Sequence, residues 1–215
     1  TMPHPDPATP IDEVCALAHA AGREILRFYR GDFRVREKSD SSPVTEADEA
    51  AEAVILPVLR VLTPDIPVVA EEEFASGQSV EVGDQPFWLV DPLDGTKEFI
   101  AQRDEFTVNI ALIIDGAPVL GVVYAPAQDV TYAAHGPGTA IVTTGAKAPR
   151  PISVRAVPAD GAVAVGSRSH GDKEKMQAML ASERIASMIV SGSSIKFCLV
   201  AAGVADIYPR YGNTF

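Results

Sequence analysis

The sequence is short of the features that mark several functional classes. Positive charge is scarce: 18 Lys and Arg stand against 29 Asp and Glu, a formal net charge of −11. Binding a nucleic-acid polymer needs a basic stripe to neutralise phosphates, so that class is excluded. A small anionic substrate is not, provided a cation offsets the repulsion. Cysteine is scarce too. Cys15 and Cys198 are the only two, both in apolar helical contexts, and read as packed, reduced thiols of a cytoplasmic protein. No apolar run is long enough to span a bilayer, since the stretch 109–125 is broken by Asp115, Gly116 and Pro118. Attachment at a membrane surface stays open. Residues 1–10 are proline-rich without a basic region and do not read as a signal peptide. Internal repeats and low-complexity segments are absent.

What is present suffices for a sizeable core in one or two domains: 215 residues, 47% of them hydrophobic. Thr9, Pro10 and Asp12 frame a helix start, and Ile11, Val14, Cys15, Ala18, Ala21, Ile25 and Phe28 continue at helical spacing to Gly31. His19 lies beside that stripe and reads as solvent-facing. Residues 33–38 alternate like an edge strand, and 39–43 form a loop. Thr45 with Asp48 resembles a capping box opening a second helix, which Pro57 is expected to kink or split. Residues 67–70 read as a short buried strand ending in Glu71-Glu72-Glu73, with loop from 74 to 86. A hairpin follows at 106–114 and 117–124 around Asp115-Gly116, and a second strand pair at 130–134 and 140–143. Residues 145–151 read as a linker. Beyond it come a strand (162–165), a helix (172–180), a strand (185–190), a helix opened by Ser191-Gly192-Ser193-Ser194, and a last strand at 205–208. The order implies a layered α/β protein of two units, 11–145 and 151–215.

One stretch organises the chemistry: Trp88-Leu89-Val90-Asp91-Pro92-Leu93-Asp94-Gly95-Thr96-Lys97. A buried strand at 87–90 releases two carboxylates, a proline, a glycine and a hydroxyl into one turn. Pro92 fixes its own φ, so Asp91, Asp94 and the Leu93 carbonyl can converge on one centre. Oxygen ligands of that kind suit Mg²⁺, which also keeps waters and shares substrate phosphates. Gly95 admits a close anion, and Thr96 adds a hydroxyl where a helix begins. Asp48 and Glu71 offer further acidic oxygens. Crowded carboxylates are costly without a cation between them, and a metal site explains the crowding. Phosphoryl transfer is mostly positioning and charge neutralisation, so this set works without a nucleophilic side chain. The Asp-x-Asp-Gly-Thr pattern of aspartyl-phosphate phosphatases does not apply, because Pro92 stands where their nucleophile would be.

The segment 88–96, preceded by Val44-Thr45-Glu46-Ala47-Asp48 and by Glu71-Glu72, resembles the inositol monophosphatase superfamily of Mg²⁺-dependent, lithium-sensitive phosphatases. Lys97-Glu98-Phe99, the segment 106–112, Gly166-Ser167-Arg168-Ser169-His170, Gly192 to Cys198 and Tyr208-Pro209-Arg210 are similar to its 3'(2'),5'-bisphosphate nucleotidase branch. The resemblance implies an α-β-α-β-α layered fold and two or three Mg²⁺ ions. It makes Glu71, Asp91, Asp94 and the Leu93 carbonyl the metal ligands, with Asp91 bridging two ions. Thr96 and Asp48, with Glu71, would orient and deprotonate the attacking water. Glu71, Leu93, Asp94 and the backbone N–H groups of Gly95 and Thr96 would meet the substrate. The implied substrate is adenosine 3',5'-bisphosphate or a 2',5' or sulfated analogue. Lys196, Arg210 and Ser167 are candidates for its second phosphate, against the alternative of an exposed helix lysine and a surface arginine. Inositol phosphates, sugar bisphosphates and plain Mg²⁺/nucleotide binding are the competing functions, and a homodimer is left open. The family's downstream Trp-Asp-x-Ala-Ala-Gly segment does not occur in these 215 residues, so the natural protein is expected to be longer.

Overall fold

Val14, Leu17, Ala18, Ala21 and Ile25 recur at spacings of three and four, and all are buried on α1 (Ile11–Tyr29). The computed structural model describes residues 11–31, 34–37, 43–78, 80–167 and 178–210. The helix start at Thr9 and Pro10, residues 39–42 of the loop expected at 39–43 and most of the helix at 172–180 lie outside the described residues, while Pro43, expected in that loop, opens a strand. A short antiparallel pair, β1 (Val35–Glu37) and β2 (Pro43–Thr45), leads into α2 (Glu46–Leu62). The expected capping box is present. The Thr45 side chain accepts from the Ala47 N–H at 3.2 Å, and the Thr45 N–H donates to Asp48 Oδ2 at 2.7 Å. Pro57 does not split the helix, which runs to Leu62 as one element.

Seven strands form the main sheet, paired in chain order: β3 (Val68–Ala70), β4 (Phe87–Asp94), β5 (Thr107–Ile114), β6 (Ala117–Ala125), β7 (Val130–His135), β8 (Ile141–Thr144) and β9 (Arg150–Pro151). Only β3 and β4 run parallel; the remaining neighbours are antiparallel. The segment read as a linker therefore ends as the edge strand of this sheet. Asp115 (φ 51) and Gly116 (φ 71) make the two-residue hairpin turn that the Asp-Gly signal predicts. Trp88, Val90, Val108, Ile110, Leu112, Leu120 and Val122 alternate onto one face, and α1 and α2 cover it. Trp88 is fully buried at the centre, its Nε1–H donating to Thr63 Oγ1 at 2.8 Å. Replacing such a residue with alanine costs about 3–5 kcal/mol.

Two elements differ from expectation. Glu71–Ala75 is a helical turn, α3, where loop was expected from residue 74. His19 is half-buried, with Nε2 2.6 Å from Thr131 Oγ1 and its ring 4.4 Å from that of Tyr124. It faces the sheet because β7 passes beneath α1, which no local pattern reveals.

After β9 the chain forms a small parallel sheet of β10 (Ala162–Gly166) and β11 (Ile185–Val190). Between this sheet and β6 of the main sheet lies α5 (Ile195–Ala201), the short turn α4 (Thr96–Ile100) having formed earlier, after β4. The layers thus alternate helix, sheet, helix, sheet. The last strand expected at 205–208 is reduced to one parallel bridge, Ala164 to Ile207. The Asp206 carboxylate takes the Val163 N–H at 2.7 Å, which leaves no regular ladder there. Arg155 clamps the same carboxylate with bonds of 2.8 and 2.9 Å, holding its pKa down at about 2.

Candidate active site

The parallel strands β3 and β4 end side by side, and each hands acidic residues to the turn that follows it. At the end of β4 the ladder with β5 is irregular between Asp91 and Asp94. Pro92 has no N–H for a ladder, so the strand loosens where the carboxylates emerge. Gly95 follows with φ 95, a conformation costly for residues with a Cβ. Space is tight as well: a Cβ there would lie 3.0 Å from the Glu105 carbonyl and 3.2 Å from Ser193 Cβ. α4 then starts at Thr96.

Asp91 is the strained member of the group. Its Oδ1 is buried and has no hydrogen-bond partner among the described residues. Burial, then the charges of Asp94 and Glu71, push its carboxyl well above the ordinary range. Asp94 is pushed up by burial as well, but the Ser194 N–H, the Lys196 charge and the Asn109 side chain act against that. A buried carboxylate oxygen with nothing to accept from, beside further carboxylates, fits a hard divalent cation. Among the described residues no group of three or more Asp, Glu, His or Cys side chains is placed to hold a metal ion by itself. Mg²⁺ draws part of its shell from carbonyl oxygen, water and phosphate as well as from carboxylates.

Thr96 joins the two motifs. Its hydroxyl lies 3.2 Å from both Asp48 Oδ1 and the Leu93 carbonyl. Asp48 is buried and held from behind, its Oδ2 accepting from the Thr45 N–H at 2.7 Å and hydroxyl at 2.6 Å. The capping box that opens α2 thus also aims a carboxylate at Thr96. Glu71 is exposed at the first position of α3 and acts electrostatically on Asp91.

The turn before α5 closes over this centre. Ser193 adopts φ 47, and a Cβ on Gly192 would lie 2.6 Å from Glu98 Cγ and 2.9 Å from the Glu105 carbonyl. Lys196 is buried, so the alternative of an exposed helix lysine is corrected. Its Nζ donates to the Ser193 carbonyl at 2.5 Å and stands 5.6 Å from the Tyr208 ring centroid. Burial lowers its pKa, while Asp94 and Glu98 act in the opposite direction. Arg210 is exposed, and its Nη1 donates to the Tyr208 hydroxyl at 3.3 Å. Its charge also acts on Lys196, which places the two cations in one neighbourhood. Ser167 is half-buried just past the end of β10.

Three groups at this site were not singled out by the sequence. Asn109 and Ser194 hold Asp94, with Ser194 Oγ donating to Asn109 Oδ1 at 2.8 Å. Asn109 is a polar residue inside the apolar run 108–114 of β5, which is the signal that marks it. Glu52 is the third, a buried acid on the core-facing side of α2.

Residues 7–215 match the sequence profile of the Inositol monophosphatase family. The chain belongs to that family. It is 49% identical over 208 residues to the 3'(2'),5'-bisphosphate nucleotidase CysQ of Escherichia coli O6:H1, covering 95% of this chain and 81% of the relative. The CysQ of Buchnera aphidicola is 40% identical, covering 95% and 76% respectively. Among solved structures, CysQ from Bacteroides thetaiotaomicron superposes with a TM-score of 0.74 at 33% identity, over 94% of this chain and 79% of that one. An IMPase from Thermotoga maritima gives 0.77 at 26% identity, over 94% and 76%. The inositol monophosphatase fold that the resemblance implied is therefore the observed one, with four of its five alternating layers among the described residues. Among the described residues no helix is long and apolar enough to cross a membrane.

Proposed function

We propose that the protein is a Mg²⁺-dependent 3'(2'),5'-bisphosphate nucleotidase that converts adenosine 3',5'-bisphosphate to AMP and phosphate. The observation that carries a metal-dependent phosphatase is the buried, unsatisfied Asp91 Oδ1 beside Asp94 and Glu71. The nucleotide substrate is supported by the identity to the CysQ nucleotidases. Glu71, Asp91, Asp94 and the Leu93 carbonyl would hold two or three ions. When bound, Mg²⁺ supplies Lewis acidity toward water and phosphoryl oxygen and neutralises developing charge.

The chain's own groups do the rest. Thr96 Oγ1 takes a proton from the attacking water as its own proton moves to Asp48 Oδ1, 3.2 Å away. Glu71 helps to orient that water. The backbone N–H groups of Gly95 and Thr96 hold the scissile phosphate. The water oxygen bonds to phosphorus as the ribose oxygen departs with the P–O electron pair and takes a proton from solvent water. Arg210 and Lys196, with Ser167, form the side that meets the second phosphate, since a guanidinium can pair with it bidentately. In this reading residues 11–145 carry the metal carboxylates and residues 151–215 the second-phosphate side. The free thiols of Cys15 and Cys198 suit a reducing, cytoplasmic setting.

Phosphate release at millimolar Mg²⁺ tests the reading, with adenosine 3',5'-bisphosphate compared against inositol 1-phosphate. The bisphosphate is expected to be preferred, and chelation to stop release. Preference for the inositol ester overturns the substrate; binding without turnover overturns the enzyme.

A further inference from the structure

We propose that Glu52 is a positioning residue for the metal site, setting through α3 the place of Glu71. Glu52 is 6% exposed on α2, and both of its oxygens are used. Oε2 accepts from the Glu72 N–H at 2.9 Å and Oε1 from the Glu73 N–H at 3.0 Å. These are the second and third N–H groups of α3, the ones that an N-cap side chain ordinarily satisfies. The residue in the cap position is Ala70, which has no side-chain oxygen to offer. Glu52 therefore caps α3 from another helix, across 20 residues of sequence.

Two arguments make this more than helix stability. First, α3 has five residues, too short to hold itself as a helix. The direction in which β3 hands over Glu71 then depends on what grips the turn from outside, and Glu52 grips the two N–H groups that follow Glu71. Second, Glu52 lies four residues after Asp48, so both project from one side of α2. Asp48 meets Thr96, and Glu52 meets the turn carrying Glu71. One rigid helix face thus registers the water-orienting pair against the metal carboxylate. A buried acid beside Glu71 and Glu73 has a cost, since burial and then those neighbouring charges push its carboxyl up against the pull of the two N–H groups. A neutral cap such as Ser or Asn at position 70 would spare that cost. Gripping α3 from α2 gives in exchange a fixed distance between the helices.

The inference rests on Glu71 as a metal ligand, and the test separates the two claims. Mg²⁺ binding to the full chain is measured by calorimetry without substrate, for wild type, Glu52→Gln and Glu71→Gln. The Glu52→Gln substitution keeps size and one acceptor but turns an N–H toward a backbone N–H. That variant is expected to bind Mg²⁺ about 10- to 100-fold more weakly, the usual effect of losing a group that orients a ligand. Its kcat at saturating Mg²⁺ is expected to recover. A residue that merely stabilises the fold would lower Tm and leave the Mg²⁺ affinity of the folded protein unchanged, and that result overturns the inference. If Glu71→Gln also leaves affinity unchanged, the metal reading itself has failed. Should the Glu52→Gln variant not fold, wild type carries the test through reciprocity of coupling. Mg²⁺ is then expected to slow amide exchange at Glu72 and Glu73, and unchanged exchange overturns the inference.

Discussion

The Ser194 backbone N–H donates to Asp94 Oδ2, joining residues one hundred positions apart in the chain. Ser194 Oγ also bonds Asn109 at 2.8 Å and lies 2.8 Å from Thr107 Oγ1. Asp94 is therefore aimed jointly by β5 and by the turn before α5. Replacing Asn109 with Ala removes one of its two guides. Catalytic efficiency at limiting Mg²⁺ is expected to fall about 10- to 100-fold. Phosphate-release kinetics across a Mg²⁺ series check this, and wild-type behaviour would show that Asn109 does not orient Asp94.

Thr96 is expected to act by proton transfer. Thr96→Val keeps the shape and removes the hydroxyl, so kcat should drop about 10²- to 10⁴-fold, the usual range for such groups. Thr96→Ser should restore much of it. Mg²⁺ affinity measured by calorimetry should change far less than kcat in both, because Thr96 is not itself among the groups that would hold the metal.

Gly192→Ala drives a methyl into Glu98 and the Glu105 carbonyl. Overpacking of this kind costs about 1–3 kcal/mol. Because the turn also holds Asp94, the variant should lose activity along with stability. Denaturant unfolding and phosphate release would be read on the same preparation; a silent substitution would contradict the packing.

The carboxyl of Asp91 gives a pH signature. Burial and then Asp94 raise its folded pKa, whereas unfolded it titrates near about 3.9. Between those values the folded chain holds a proton that the unfolded chain has released, so stability falls as pH rises through the window. The penalty is absent below the unfolded value and complete above the folded one. Without metal, Tm should rise as the pH is lowered through the folded value toward the unfolded one, and added Mg²⁺ should raise Tm most at the higher pH. Asp91→Asn should flatten both trends. A Tm insensitive to Mg²⁺ at every pH would contradict the site.

Much of this was legible in the sequence because the deciding interactions are local. The Asp91-Pro92-Leu93-Asp94 turn, the Thr45/Asp48 capping box and the Asp115-Gly116 hairpin are each set by residues within a few positions. α3 was not legible, since three consecutive glutamates carry no apolar period and the group that caps them sits on α2. Its one trace is an acid at position 52, four after Asp48, among Ala51, Ile55 and Leu59 that face the core. Lys196 illustrates the same limit. Its place in an apolar helix was visible, but the carboxylates whose charges act on it, Asp94 and Glu98, come from segments about a hundred residues earlier.

The Asp115-Gly116 turn lies at the far end of β5 from the Thr107–Asp94 pairing. At about 3.4 Å per residue along an antiparallel strand, that end stands roughly 24 Å from the carboxylates. It is exposed, and nothing packs within 4 Å of a Cβ built on Gly116. The turn is thus a natural point for a dye, an affinity tag or a tether to a sensor surface that leaves the reactive end facing solution.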